Sequence, residues 1–446
     1  MNNKITLHTR REFLRRTVLA SALSWTVPTF LANTFTALQA EAANVATQAA
    51  TGRDSTILVI LQLAGGNDGL NTVIPHGNDF YHRARTRIGI GAGQVLKLND
   101  QVGLHPELAG FRALYDAGQL AIVQGVGYPN PNRSHFRSTE IWQTASDANR
   151  VEQYGWVGRY FDNACPGCDP TVGINIGRQM PQAFAARQPM GISLENPQNY
   201  RFVSSDRKGP GGSRDLMEQS YRELNEPPVE NTGDNSGGTI QAIDGPGVKG
   251  TGSVLDFLER TALDAQLSSD KIRDVSSRVQ NQASYPAGAL GNSLKLVARL
   301  IGGGLSTRIF YVSQGGYDTH TNQLATQARL LRELGDSVKS FCDDLKAQGN
   351  MERVLVMTFS EFGRRVSDNA SGGTDHGAAA PLFVVGNRVR AGLLGAYPSL
   401  APADLFQGDL KYTVDFRSVY AAVLESWLKT PSAPILGRQF QPLILV

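Results

Sequence analysis

The chain has 446 residues, 41% hydrophobic and 19% charged, a balance that excludes a disordered or fibrous protein and suffices for one large domain or two to three ordinary ones. Forty-seven glycines and 21 prolines imply many turns and argue against an all-helical bundle. The formal charge of +3 sits in residues 1–42; without their five positive and two negative residues, 38 of each sign remain, so the body is neutral and poorly suited to nucleic acid or an anionic membrane surface.

Thr9-Arg10-Arg11-Glu12-Phe13-Leu14 reads as a twin-arginine signal, followed by a moderately apolar stretch from Thr17 to Leu38 and small residues around Ala40-Glu41-Ala42-Ala43 that offer a cleavage site. Trp25, Pro28 and Asn33 make that stretch a poor permanent membrane span. The expectation is a signal peptide over 1–42, passage through the twin-arginine translocase, and a periplasmic or secreted mature chain over 43–446. No later stretch approaches about 18 consecutive apolar residues, so no permanent span is expected.

Ser55–Leu63 is a continuous apolar run that predicts a buried strand opening into the turn Ala64-Gly65-Gly66-Asn67-Asp68-Gly69. A helix follows over Pro106–Ala117, a second buried strand over Leu120–Gln124, a loop over Gly125–Arg133 and a helix from Ser134 through Ile141. Cys165-Pro166-Gly167-Cys168 lies in a Pro/Gly-rich loop. Zinc needs a second pair and a redox motif needs a helix at Cys165, so a local disulfide is the simplest reading. Lys208–Gly252, rich in Gly, Pro, Asn, Ser and Asp, reads as a long surface insertion. Thr307–Val312 is a strand, and Thr321–Ala347 a helix with the core stripe Leu324, Ala328, Leu331, Leu334, Val338, Phe341 and Leu345, to which Cys342 adds. Strands over Arg353–Phe359 and Pro381–Val385 precede a closing helix over Thr413–Trp427. This alternation predicts one α/β domain: a mostly parallel central sheet with helices on both faces and one Gly/Pro-rich insertion.

In open parallel sheets, ligands bind at the carboxyl ends of strands. Asp68, Ser134, Asp318, His320 and Glu361 all follow strands, and Asp375-His376 lies in the loop before the last one. Carboxylates and imidazoles converging on one edge suit a site for one or two divalent metals: zinc, manganese, magnesium or calcium. Taken singly, Asp68 suits a turn and Ser134 a helix cap. At a helix start, however, Ser134 is also placed to be a nucleophile, Arg133 and Arg137 to grip an anion, and His135 to polarise a substrate or act as an acid.

The twin-arginine leader and the runs LQLAGGNDGLNTVIP, NRSHFRS, GYDTHTNQ, FSEFGRR, TDHG and VDFRSVYAAVLESWL resemble the bacterial family called domain of unknown function 1501. That family looks distantly similar to the alkaline phosphatase superfamily, which includes sulfatases and cofactor-independent phosphoglycerate mutase. The resemblance implies an alkaline-phosphatase-like fold, a hydroxyl nucleophile at Ser134, and divalent metal bound through Asp68, Asp318, His320, Glu361, Asp375 and His376. The superfamily has Asp-His where this chain has Glu361-Phe362. On that pattern His376 joins Asp318 and His320, while a second site of Asp68, Ser134 and Glu361 lacks an imidazole and favours magnesium, calcium or no metal. Two functions follow as expectations. One is a hydrolase of phosphate or sulfate esters, on small or polymer-linked anionic substrates. The other is a catalytically weakened member acting as a binding or assembly protein in the cell envelope.

Overall fold

The computed structural model describes residues 56–166, 168–187, 190–197 and 269–446. The expected signal peptide over 1–42 and insertion over 208–252 lie outside the described residues. Apart from residues 269–273, the described residues belong to one compact unit, Thr36–Pro197 with Asp274–Val446, which carries everything that follows.

Its centre is a nine-stranded sheet. β1 (Ile57–Leu63) is buried at every position, as its unbroken apolar run requires. β2 (Val73–Ile74), β3 (Leu96–Lys97) and β4 (Gly103–Leu104) form a separate small antiparallel sheet. The main sheet continues with β5 (Leu120–Gly127), β6 (Gly173–Ile176), β7 (Ile192–Leu194), β8 (Ile309–Gln314), β9 (Val354–Phe359), β10 (Ala380–Val385), β11 (Gly392–Leu394) and β12 (Val414–Asp415). The order is β11-β5-β10-β9-β1-β8-β6-β7, with β12 also on β5. All pairings are parallel except those of β10, which runs antiparallel to both β5 and β9. The sheet is mostly parallel, as expected. The reversal of β10 matters: the carboxyl ends of β1, β5, β8 and β9 and the start of β10 all meet at one edge.

The helices are α1 (Gly69–Thr72), α2 (Asp79–Ala84), α3 (Ala109–Asp116), α4 (His135–Thr144), α5 (Trp156–Ala164), α6 (Ala289–Gly302), α7 (Gln323–Ala347), α8 (Phe416–Ala422) and α9 (Ala433–Leu436). They cover both faces. On one, Trp142 of α4 stacks between Phe359 of β9 and Phe416 of α8 at 5.4 and 4.4 Å between centroids. On the other, Phe111 of α3 meets Phe383 of β10 edge-on at 4.9 Å. Such pairs contribute about 0.5–1.5 kcal/mol each beyond the area they bury.

Two expected helices change shape. α8 begins only at Phe416, capped by Asp415 accepting from the Arg417 N–H, because Val414–Asp415 is drawn into the sheet as β12. The α7 stripe is correct from Leu331 onward, but Leu324 is 42% exposed, and Gln323 and Gln327 face inward in its place. Their amides serve a buried polar network described below. Cys165 and Cys168 form a disulfide, and Cys342 is a buried free thiol. Among the described residues no helix is long and apolar enough to cross a membrane.

Candidate metal centre

The β1 turn approaches the loop after β8 so closely that a Cβ on Gly65, whose φ is +119°, would overlap the Asp318 backbone nitrogen. A Cβ on Gly373 would overlap the His320 carbonyl in the same way. These two glycines let three loops share one small volume, and the side chains they carry converge there.

One carboxylate and three imidazoles meet. His376 Nε2 and His320 Nε2 each lie 3.1 Å from Asp318 Oδ1, His135 Nε2 lies 3.4 Å from Asp318 Oδ2, and His320 Nε2 lies 2.9 Å from His376 Nε2. Ligand atoms of His135, Asp318 and His376 all fall within 4.8 Å of one another. Each ring is held from behind through Nδ1. His135 Nδ1 lies 2.9 Å from Glu361 Oε1, His320 Nδ1 lies 3.2 Å from Asp375 Oδ1, and His376 Nδ1 lies 2.8 Å from the Arg133 carbonyl oxygen. A carbonyl or carboxylate oxygen only accepts, so Nδ1 must donate in all three. The three Nε2 lone pairs therefore point at each other and at a carboxylate. That arrangement repels itself unless a proton or a cation lies between them.

The donor set fits a metal ion. Three neutral imidazoles and one carboxylate suit zinc or manganese, and carboxylate or carbonyl acceptors behind metal-binding histidines fix tautomer and direction. Phe362 packs against His135 and His376 at 5.0 and 4.6 Å between centroids and so braces both rings.

Arg364, with its guanidinium fully buried, ties the centre together. It donates to the Gly66, Thr374 and Tyr317 carbonyls at 2.7–2.9 Å, to the Gly65 carbonyl, and to Asp318 Oδ1 at 2.8 Å. Partial burial pushes the Asp318 carboxyl up, but its hydrogen bonds with Arg364 and His376 and the Arg364 charge outweigh it and hold it down at about 2. A carboxylate so stabilised stays ionised and ready to ligate.

The other expected site residues stand elsewhere. Asp68 is outside the cluster: its carboxylate accepts from the Arg85 guanidinium, the Gln323 amide and the Leu70 N–H, all buried. This is the network that turns Gln323 inward, with Gln327 donating to the Asp68 carbonyl at 2.9 Å. Glu361 stands behind His135, also accepting from the Gly65 N–H at 2.8 Å. Asp375 stands behind His320. Ser134 is the N-cap residue of α4, an exposed residue one position before His135, and its hydroxyl makes no capping bond. Arg133 pairs with the buried carboxylate of Asp409. Arg137 pairs with Glu140 at 2.7 Å and donates to the carbonyls of Asp147, Ala148 and Arg150. Both arginines thus face protein acceptors. Arg85, Arg364 and Asp409 escaped the sequence reading. Arg364 lies in the quoted FSEFGRR run, whereas Asp409 and Arg85 carry no local signal.

The family model described as "Protein of unknown function (DUF1501)" matches residues 55–436, a span that includes every member of this centre. The chain belongs to the DUF1501 family. No curated protein matches it. Among solved structures, this DUF1501 chain is similar to a protein in the alkaline phosphatase superfamily from Vibrio parahaemolyticus, at 10% identity and a TM-score of 0.36 over 93% of this chain and 78% of that one. It is also similar to the phosphonate monoester hydrolase SpPMH from Silicibacter pomeroyi, at 11% identity and 0.34 over 87% and 78%. A third is the PsFucS1 sulfatase from Pseudoalteromonas sp., at 10% and 0.32 over 87% and 75%.

Proposed function

We propose that the protein is an exported, metal-dependent hydrolase of phosphate or sulfate esters. The observation that carries this reading is the set of three imidazoles, each pinned through Nδ1 and each turning Nε2 onto Asp318. His135, Asp318, His320 and His376 would hold one divalent ion, with Glu361, Asp375 and the Arg133 carbonyl orienting the rings. When bound, such an ion supplies Lewis-acid stabilisation of charge on an ester oxygen.

The chain's own residues do the rest. Ser134 presents an uncapped hydroxyl at the start of α4, one residue from the His135 ligand. Its oxygen attacks phosphorus or sulfur, a bond to Ser134 Oγ forms and the bond to the alcohol oxygen breaks; the serine proton ends on the departing alcohol oxygen, and the phosphoryl or sulfuryl group stays on serine until water hydrolyses it to free phosphate or sulfate. The backbone N–H groups of the first α4 turn favour the anion. Arg364 keeps Asp318 ionised and in place throughout. Arg10 and Arg11 belong to the same reading as the export signal, and lysine at both positions should leave the protein in the cytoplasm.

The second reading is a binding or assembly protein of the envelope. It is favoured by the engagement of Arg133 and Arg137 with protein acceptors, which leaves the transition-state charge with fewer donors. Turnover of an aryl phosphate and an aryl sulfate by protein supplied with zinc or manganese separates the two. The hydrolase reading expects turnover that Ser134→Ala abolishes with the fold intact, since the serine makes no cap bond to lose. Absence of turnover toward both esters would favour the binding protein.

A further inference from the structure

Asp409 is a buried carboxylate that two arginines approach, one at each oxygen. Arg133 spends both Nε, at 2.8 Å, and Nη2 on Oδ2. Arg365 Nε lies 3.8 Å from Oδ1, beyond hydrogen-bond reach, and Oδ1 has no hydrogen-bond partner. The Asp409 side chain is fully buried, whereas those of Arg133 and Arg365 are 31% and 38% exposed. One cation suffices to pair a buried carboxylate, so the second leaves a positive charge in excess. Among the described residues, Arg133 Nη1 and the Arg365 side chain make no hydrogen bond, and no other carboxylate lies within ion-pair distance of either guanidinium.

The pair is fastened to the metal centre through the backbone. The Arg133 carbonyl accepts from His376 Nδ1 at 2.8 Å, the Arg365 N–H donates to the Asp375 carbonyl at 3.0 Å, and Arg364 and His376 form an antiparallel bridge. Asp409 is held in a turn closed by two backbone hydrogen bonds with Phe406, each 3.0 Å. A Cβ on Gly408 would lie 3.5 Å from Arg365 Nη1, so that guanidinium rests on the same turn. Lys411, two positions after Asp409, is exposed and adds a further positive charge to this segment.

We propose that Arg133 and Arg365 form a second anion subsite beside the metal centre, and that the substrate carries a second oxyanion besides its ester group. The inference rests on the hydrolase reading above and adds the substrate class. Guanidinium planes offer paired donors that match the oxygens of a phosphate, sulfate or carboxylate. Asp409 orients the two side chains yet neutralises only one of them, so the subsite is pre-organised and still charged. A nucleic acid or an anionic membrane requires a track of cations. Two guanidiniums sharing one carboxylate, on a body of balanced charge, suit one extra anion on a small or polymer-linked substrate.

The test uses the full chain loaded with zinc and measures equilibrium binding by calorimetry. The probes are ethane-, butane- and hexanediphosphonate against ethyl-, butyl- and hexylphosphonate, with the matching disulfonates and sulfonates as a second arm. Their carbon–phosphorus and carbon–sulfur bonds leave nothing to hydrolyse, so binding is read apart from turnover. The two arms separate a phosphate-like from a sulfate-like preference, and the spacer series reads the reach from the metal centre to the arginines. In at least one arm, the diacid of the best spacer should bind about ten-fold tighter than its monoacid. Arg365→Gln should weaken that diacid about five-fold, as expected for one lost charge-assisted contact, with less than a two-fold change toward the monoacid and unchanged metal content. Arg365→Lys, which keeps the charge, should recover part of the loss. Equal affinity for diacid and monoacid at every spacer would overturn the subsite while leaving the metal centre standing. So would a diacid preference that Arg365→Gln leaves intact, because the second anion would then be held elsewhere. Failure of every probe to bind the zinc-loaded chain would overturn both.

Discussion

Two aspartates follow strands at the same sheet edge, and each is paired with an arginine whose guanidinium is fully buried, yet they end in opposite chemistry. Asp68 is sealed with Arg85: neither side chain is more than 1% exposed, and Gln323 and the Leu70 N–H take up remaining acceptor capacity. Asp318 also meets an arginine, but its side chain remains 47% exposed and faces three imidazole lone pairs. Burial decides the difference. A dry ion pair satisfied on every side is a structural device, while an ionised carboxylate half open to water and facing imidazole nitrogens has the setting that a cation site requires. The placement of Asp68 after the first strand does not by itself make it a metal ligand here.

The largest effect should come from breaking the dry pair. Arg85→Ala leaves the Asp68 carboxylate buried and unpaired, which costs about 3–5 kcal/mol. Replacing both partners with apolar residues of similar volume should recover much of that loss. Chemical denaturation of the single and double variants measures both. A small loss in Arg85→Ala would mean that Asp68 is wetter than described.

Acid should reveal the same dryness. His105 is buried behind the Asp68 segment and accepts the Glu107 N–H at Nδ1, 3.1 Å away. Burial pushes its imidazole down to about 4. The unfolded chain takes up this proton near pH 6.5 and the folded chain only near 4, so stability should be full above about 6.5 and decline as pH falls through that window. The decline should be on the order of 3 kcal/mol at most. His105→Asn should flatten the profile over pH 6.5–4 in thermal melts. An unchanged profile would assign the loss to other groups.

Phe362 stands on the Asp318 side. Its ring lies against His135 and His376. Phe362→His should therefore add a donor to the Asp318 centre and tighten metal binding by a few-fold, without creating a second site at Asp68. A second ion per chain, lost again in Asp68→Asn, would show that Arg85 yields its place.

Part of this contrast was legible in the residues. β1 and β9 announce themselves as unbroken apolar runs, and α7 by its stripe from Leu331 on. The convergence of Asp318, His320 and His376 follows from strand ends in a parallel sheet. The direction of β10 was not legible, because apolar patterning carries no information on which way a strand runs. β6 and β7 are four and three residues long, too short for a pattern to emerge. The inward turn of Gln323 reverses the hydrophobic rule, and only the partner Asp68, 255 positions away, explains it. His135 was visible beside Ser134, but its place as a fourth member depends on Glu361 and Asp318, far along the chain. Long-range polar pairs decide which candidates join a site, and they leave no local periodicity.

The central claim is that His135, Asp318, His320 and His376 form one metal centre and that Asp68 does not. Metal content per chain, measured by mass spectrometry on protein purified from its native host, tests it most directly when the parent is compared with His376→Ala and Asp68→Asn. The parent should carry one divalent ion. His376→Ala should lose it, along with the melting-temperature increment that ligand binding to the native state confers, while Asp68→Asn that still folds should keep it. Equal metal content in the parent and His376→Ala, or loss of the ion in folded Asp68→Asn, would contradict the account.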